Sequence, residues 1–398
     1  MLRFLLQQGR VGLLATGLGW ALSGVVLSGC RSAPAKAPEP APAPEKPAEP
    51  LSPVLSDAPS PPVLLREVGF LAPQAALHDP DQDVYLVSNS NGAAGDADGN
   101  GFISRVSPDG AKITLKWIDG QSGVGLDAPK GMALSGDKLY VADINVVRSF
   151  DRKSGEPIGK VAILTAHDLD AIAIAPDGTL YVSDTGLSPG NARAPGKLKT
   201  KGKGSDKPKS KGSPASKGTV PQREGADAIY AVDARGVSRV LVKGAELGQP
   251  TGLLADAEGV WVTNLAGELY RVAADGKRAP GIRLPGSGLH GVLATEGGRL
   301  VIACAETSTV YVGKGHANAQ AGGAQAAGAQ AAGAQAAGAE GGGPKAGGAT
   351  PPESFDPLIT ELSAPGQVGY DRGRRQLIVP LVKDNGLYIQ QISAGGAD

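Results

Sequence analysis

The chain has 398 residues, of which 59 are glycine and 31 proline, concentrated in a few stretches. Hydrophobic residues make up 41% and aromatics 4%, which allows one sizeable core of mainly Val, Leu, Ile and Ala once those stretches are set aside. Lysine plus arginine and aspartate plus glutamate balance at 39 each, so the charge carries no footprint of a nucleic-acid partner and none is expected.

Residues 1–29 read as a targeting segment. Arg3 and Arg10 form a short positive region, and Val11 to Leu27 is apolar or small and uncharged. Leu27–Ser28–Gly29–Cys30 then resembles the lipobox of bacterial lipoproteins. That resemblance implies cleavage before Cys30, a diacylglycerol thioether and palmitate on it, and attachment to a lipid bilayer. Arg31 in place of aspartate after the cysteine implies the outer membrane of the envelope. With Cys30, residues 30–62 form a tether of Pro, Ala, Glu, Lys and Ser, a composition that buries no apolar surface and stays extended.

From residue 63 to 394 a unit recurs: an opening strand, a Gly/Asp turn, and a second strand rich in Val, Leu and Tyr. The second strands are 83–89, 138–143, 179–184, 259–264, 299–304 and 376–380. They recur at a spacing of about 40 residues, or about 80 across an insert, so the repeat counts six. The first insert, 187–224, carries Lys197, Lys199, Lys201, Lys203, Lys207, Lys209, Lys211 and Lys217 among Gly, Ser and Pro, and reads as a disordered basic loop able to meet an anionic polymer. The second, 313–352, repeats Gly-Ala-Gln-Ala-Ala units and reads as disordered filler.

Third strands follow at 102–106, 228–232, 268–272, 310–312 and 386–389. The last unit stops one strand short, and Leu64–Leu65–Arg66–Glu67–Val68–Gly69 can supply it by pairing the two ends of the chain. Four strands per unit and six units predict an all-β, six-bladed propeller, a fold that closes on itself and leaves no long exposed edge. Cys304 ends the apolar run from Leu300 and is expected to be a buried, inert thiol.

Pro129–Lys130–Gly131–Met132–Ala133–Leu134, with Leu139–Tyr140–Val141–Ala142–Asp143, resembles NHL-type propeller repeats. Together with Asn100 to Gly110, the chain from 63 to 394 is similar to the senescence-marker-protein/gluconolactonase superfamily. The resemblance implies a divalent metal in a central channel, held by side chains at the start of the innermost strands. The equivalent ring here is Gln74, Lys130, Asp170, Thr251, His290 and Gln367. The family pattern has Glu, Asn, Asn and Asp where this chain has Gln74, Asp170, Thr251 and His290. Calcium needs several oxygen ligands with carboxylate charge, and this ring offers one carboxylate beside Lys130. Asp170 and His290 remain the metal candidates, with calcium the possible ion. A polar channel with Lys130 paired to Asp170 is the expected arrangement.

A second calcium candidate is Asp96–Ala97–Asp98–Gly99–Asn100–Gly101, the first half of a calcium loop without its closing carboxylate. The sequence has no Gly-x-Ser-x-Gly elbow and no His-Glu-x-x-His; His167–Asp168 near the channel mouth is the one candidate general base. The expected function is therefore an envelope-anchored module that binds a small-molecule or envelope ligand or serves as a scaffold. The alternative is a metal-dependent lactone hydrolase. The basic insert, leaving after Asp184, is expected on the same face as the ring, and the second insert on the opposite face.

Overall fold

Alternation of apolar and polar residues over five to seven positions, punctuated by Asp/Gly turns, dictates short antiparallel strands throughout. A computed structural model describes residues 60–92, 97–120, 124–186, 227–314 and 352–393. Cys30, most of the tether, Asp96 and nearly all of both inserts lie outside the described residues. Among the described residues helical structure is limited to 3-10 turns, Ala245–Leu247 and one at Gly120, and no helix is long and apolar enough to cross a membrane.

The strands form six four-stranded antiparallel sheets. Blade 1 runs outward as Pro73–Asp79, Val84–Asn89, Phe102–Val106 and Ile113–Asp119. The inner strands of blades 2 to 6 are Pro129–Ser135, Leu169–Ile174, Pro250–Asp256, Leu289–Ala294 and Gly369–Asp371. This is the predicted propeller. Each predicted second strand is present, within a residue of its predicted ends, and blade 2 adds a third strand, Val146–Asp151, that was not singled out from the sequence. Val63–Leu65 pairs antiparallel with Gly386–Gln391 as the outermost strand of blade 6, so the two ends of the chain do close the ring. One boundary moves: Gly313 and Lys314, taken as insert, continue the strand Thr309–Lys314, which pairs with Ser354–Ile359.

The core is six apolar clusters, one between each pair of neighbouring blades. Large buried side chains such as Trp261, Tyr230, Tyr270 and Phe102 fill the blades outward, while Ala and Gly fill them near the axis. Cys304 is fully buried as expected, and its Sγ donates to the Ser287 carbonyl at 3.2 Å.

Close to the axis the backbones nearly touch. A Cβ on Gly131 would lie 2.6 Å from the Asp170 carbonyl oxygen and 2.7 Å from Ala171 Cα. One on Gly252 would lie 2.7 Å from Gly291 Cα, and one on Gly369 2.7 Å from the Ala76 carbonyl oxygen. Adding a methyl there forces backbone to move, so Gly131→Ala is expected to destabilise by about 1–3 kcal/mol in chemical denaturation. Gly297→Ala, where nothing lies within 4 Å, is expected to stay within about 0.5 kcal/mol of the parent.

Candidate functional site at the channel mouth

The ring residues stand near the start of each inner strand, and in five blades the pairing register shifts there: between Pro73 and Ala75, Pro129 and Met132, Leu169 and Ile172, Pro250 and Gly252, and His290 and Val292. Such a bulge bends the strand and re-aims a side chain. It also leaves a backbone N–H without its ladder partner, and hydroxyls on the second strand supply acceptors. Ala75 N donates to Ser88 Oγ at 3.1 Å, and Ala171 N donates to Ser183 Oγ at 2.9 Å. Ser88 in turn donates to the Lys130 carbonyl at 2.7 Å, tying blade 1 to blade 2.

In blades 1 to 4 the last residue of the second strand is polar, lies at the same end and holds the loop that enters the inner strand. Asn89 accepts from Leu71 N, Asp143 from Ala128 N, and Asp184 from Asp168 N and Gly186 N. Asn264 donates to the Leu247 carbonyl. These buried polar groups are therefore spent on the scaffold. The basic insert is rooted here. Asp184 pairs with Leu169 on one side and Ala228 on the other, so both described ends, Gly186 and Asp227, stand at the ring face. Lys314 and Ser354, flanking the second insert, pair at the opposite face.

At the axis Lys130 Nζ donates to Asp168 Oδ1 at 2.7 Å and to Asp170 Oδ2 at 3.2 Å. Burial alone would lower this ammonium, but the charges of Asp170 and Asp168 outweigh it and hold Lys130 above its ordinary value. Asp170 is pushed up by burial, which Lys130 and His290 offset only in part. Its other oxygen, Oδ1, accepts from Gln367 Nε2 at 2.7 Å, and Asp168 Oδ2 accepts from Thr185 Oγ1 at 2.8 Å. Gln367 Nε2 also donates to the Thr251 carbonyl at 3.2 Å. Burial pushes His290 below its ordinary value, with the charge of Asp170 acting against that shift and the charge of Lys130 adding to it.

Three of the six ring residues thus join through hydrogen bonds, Lys130, Asp170 and Gln367, and His290 lies near enough to feel the charges of Asp170 and Lys130. The other two turn to their surroundings. The Gln74 amide donates to the Ala72 carbonyl and to Ser90 Oγ at 3.2 Å each, and the Thr251 hydroxyl donates to the Leu289 carbonyl. Asp168, which was not among the ring residues, joins the Lys130 group. Offered by the sequence, with His167, as a candidate general base, it carries the nearer of the two counterions of Lys130. Its spacing of two from Asp170 puts both side chains on one face of an extended chain, a signal present in the sequence.

The metal implied by the family resemblance can be tested against this donor set. All four oxygens of Asp168 and Asp170 already accept hydrogen bonds, and an ammonium stands between the two carboxylates where a cation would stand. Calcium asks for six to eight oxygen ligands, and the residues present do not fit it. In the Asp98–Gly101 loop the Asp98 carboxylate accepts from the backbone N–H and side-chain amide of Asn100.

No protein-family model matches the chain, and no curated protein matches it in sequence. Its fold does have counterparts among solved structures. A luciferin-regenerating enzyme superposes with a TM-score of 0.51 at 11% identity, covering 84% of this chain and 96% of its own. A putative gluconolactonase superposes with a TM-score of 0.51 at 13% identity, covering 84% of this chain and 93% of its own. A calcium-binding protein, regucalcin from Agrobacterium tumefaciens, gives a TM-score of 0.46 at 11% identity over 84% of this chain and 91% of its own. The chain is thus a six-bladed propeller of the gluconolactonase-like type in fold.

Proposed function

We propose that this protein is a ligand-binding or scaffold propeller anchored to the bacterial envelope through lipidated Cys30, and that its ligand meets the channel mouth. The observation that carries this reading is Lys130 Nζ lying between Asp168 and Asp170. A fixed ammonium in the place of a metal removes the Lewis acid that a lactone hydrolase of the gluconolactonase type needs, and leaves a rigid polar floor. Beside it stand His290, whose charged form burial disfavours, and the Gln367 amide, which donates to Asp170. The basic insert, rooted beside Asp168 through Thr185 and Gly186, supplies positive charge for an anionic envelope polymer or small anion, an attraction that weakens with salt. The lipobox resemblance supports the anchor and the outer-membrane location.

The deciding experiment assays the purified full chain against a panel of lactones with and without calcium. No turnover and no stoichiometric calcium are expected. Calcium-dependent hydrolysis that disappears in Asp170→Ala would overturn the reading in favour of the lactonase. Anion binding is expected to fall with ionic strength and on deletion of residues 193–217; binding that ignores both would remove the insert from the proposal.

Lys130→Met is expected to cost about 3–5 kcal/mol in urea denaturation, because it strands two buried carboxylates. Part of that loss should return on acidification. With a folded-state pKa above its unfolded value of 3.8, Asp170 costs stability as the pH rises through that window, and protonation relieves the cost.

Cys30→Ser is expected to abolish metabolic palmitate labelling and to move the protein from the detergent to the aqueous phase on Triton X-114 partition. Unchanged labelling would refute the anchor.

A further inference from the structure

At the face opposite the channel mouth, the seam between blade 1 and blade 6 holds a group of side chains that the channel does not use. His78 is near the end of the inner strand of blade 1, Asp83 is in the turn that follows, and Asp371 ends the inner strand of blade 6. One ligand atom from each lies within 4.8 Å of the others. His78 Nε2 is 3.7 Å from Asp83 Oδ1 and 3.6 Å from Asp371 Oδ2. These separations are too long for hydrogen bonds. They are close to the edge of about 3.4 Å that bonds of about 2.0–2.2 Å give a tetrahedral ion. His78 is 9% exposed, and its Nε2 is buried without a hydrogen-bond partner while aimed at the two carboxylates. An orphaned buried ring nitrogen is costly unless something else takes its lone pair.

The occupant of the space now is Arg374. Its guanidinium donates to Asp83 Oδ1 at 2.6 Å, Asp83 Oδ2 at 2.7 Å and Asp371 Oδ2 at 2.9 Å. It differs from Lys130 in a way that matters: its side chain is 42% exposed, against 7% for Lys130, so it can swing into solvent without crossing the core. Behind the cluster, Tyr85 OH donates to Asp371 Oδ2 at 3.0 Å, and the His78 and Tyr85 rings meet edge to face at 5.5 Å. This is the kind of outer support that holds metal-binding side chains in place.

We propose that His78, Asp83 and Asp371 form a site for a divalent ion of the zinc class, which displaces Arg374 and staples blade 1 to blade 6. One imidazole nitrogen with two carboxylate oxygens suits zinc rather than calcium. The exchange balances in charge. With His78 neutral, the cluster carries one guanidinium and two carboxylates, a net charge of −1. With the ion bound and Arg374 in solvent it is zero, and water completes the fourth position. The ring closes non-covalently inside blade 6, where Val63–Leu65 pairs with the last strand, and the staple adds a second tie from blade 1 to the C-terminal strands of that blade, so binding resists ring opening and stabilises the fold by mass action.

The test uses the full chain without an affinity tag, stripped with EDTA and titrated with zinc chloride by calorimetry and by thermal melting. One zinc per chain and a melting temperature that rises with zinc are expected. His78→Gln and Asp83→Asn should each abolish the calorimetric signal. Asp83 is half-exposed, so its variant remains informative if His78→Gln does not fold. Arg374→Gln should tighten binding by about tenfold, because it removes the competing cation. No zinc uptake by the wild type, uptake unaltered in both ligand variants, or weaker uptake in Arg374→Gln would each sink the proposal.

Discussion

Six inner strands meet at one axis, and the space they leave one another is set by the residue that follows each ring side chain. That residue is small in five of the six blades: Ala75, Gly131, Ala171, Gly252 and Gly291. Where a Cβ is missing, neighbouring backbone fills its place, as Gly131 against Asp170 and Ala171 and Gly252 against Gly291 make plain. Close approach has two consequences. It narrows the channel until side chains from different blades are within hydrogen-bond reach. It also forces the bulges that turn those side chains inward, with Ser88 and Ser183 taking up the freed N–H groups.

Lys130 can bridge Asp168 and Asp170 only because blades 2 and 3 are this close. Buried ion pairs bring little net stability, since desolvation costs about as much as the attraction returns. What the pair does instead is fix the character of the channel floor: an ammonium held between two carboxylates, all four of whose oxygens already accept hydrogen bonds. A propeller whose fold is gluconolactonase-like thus has, at its axis, a hydrogen-bonded ion pair joining two blades.

Closure of the ring relies on contacts at three depths. Outermost, Val63–Leu65 pairs with the last strand. Near the axis, Ala76 N donates to the Gln367 carbonyl and Gln367 N donates to the Gln74 carbonyl, a parallel bridge between the first and last blades. At the far face, Arg374 crosses from blade 6 to Asp83 of blade 1. A comparable tie joins blades 1 and 2, where buried Arg152 holds Asp79. The Arg374–Asp83 pair is half in water, whereas the Arg152–Asp79 pair is buried, where desolvation offsets much of the attraction.

The sequence by itself determined the number of blades, the second strands, the clasp by the N-terminal strand, the burial of Cys304 and the two faces from which the inserts leave. These follow from local rules: side-chain alternation with period two, Asp/Gly turn chemistry, and the alternating direction of antiparallel strands. It placed the ring positions too, because they recur with the blade. Which of those side chains would meet was decided by the tertiary structure. Gln74 and Gln367 stand at equivalent places, yet one turns to its own loop and the other spans to Asp170, 197 residues away. The preference of Lys130 for Asp168, and the cluster of His78 with Asp371, likewise rest on distances between blades. Those distances are set by how closely backbones pack at the axis, and no local pattern encodes them.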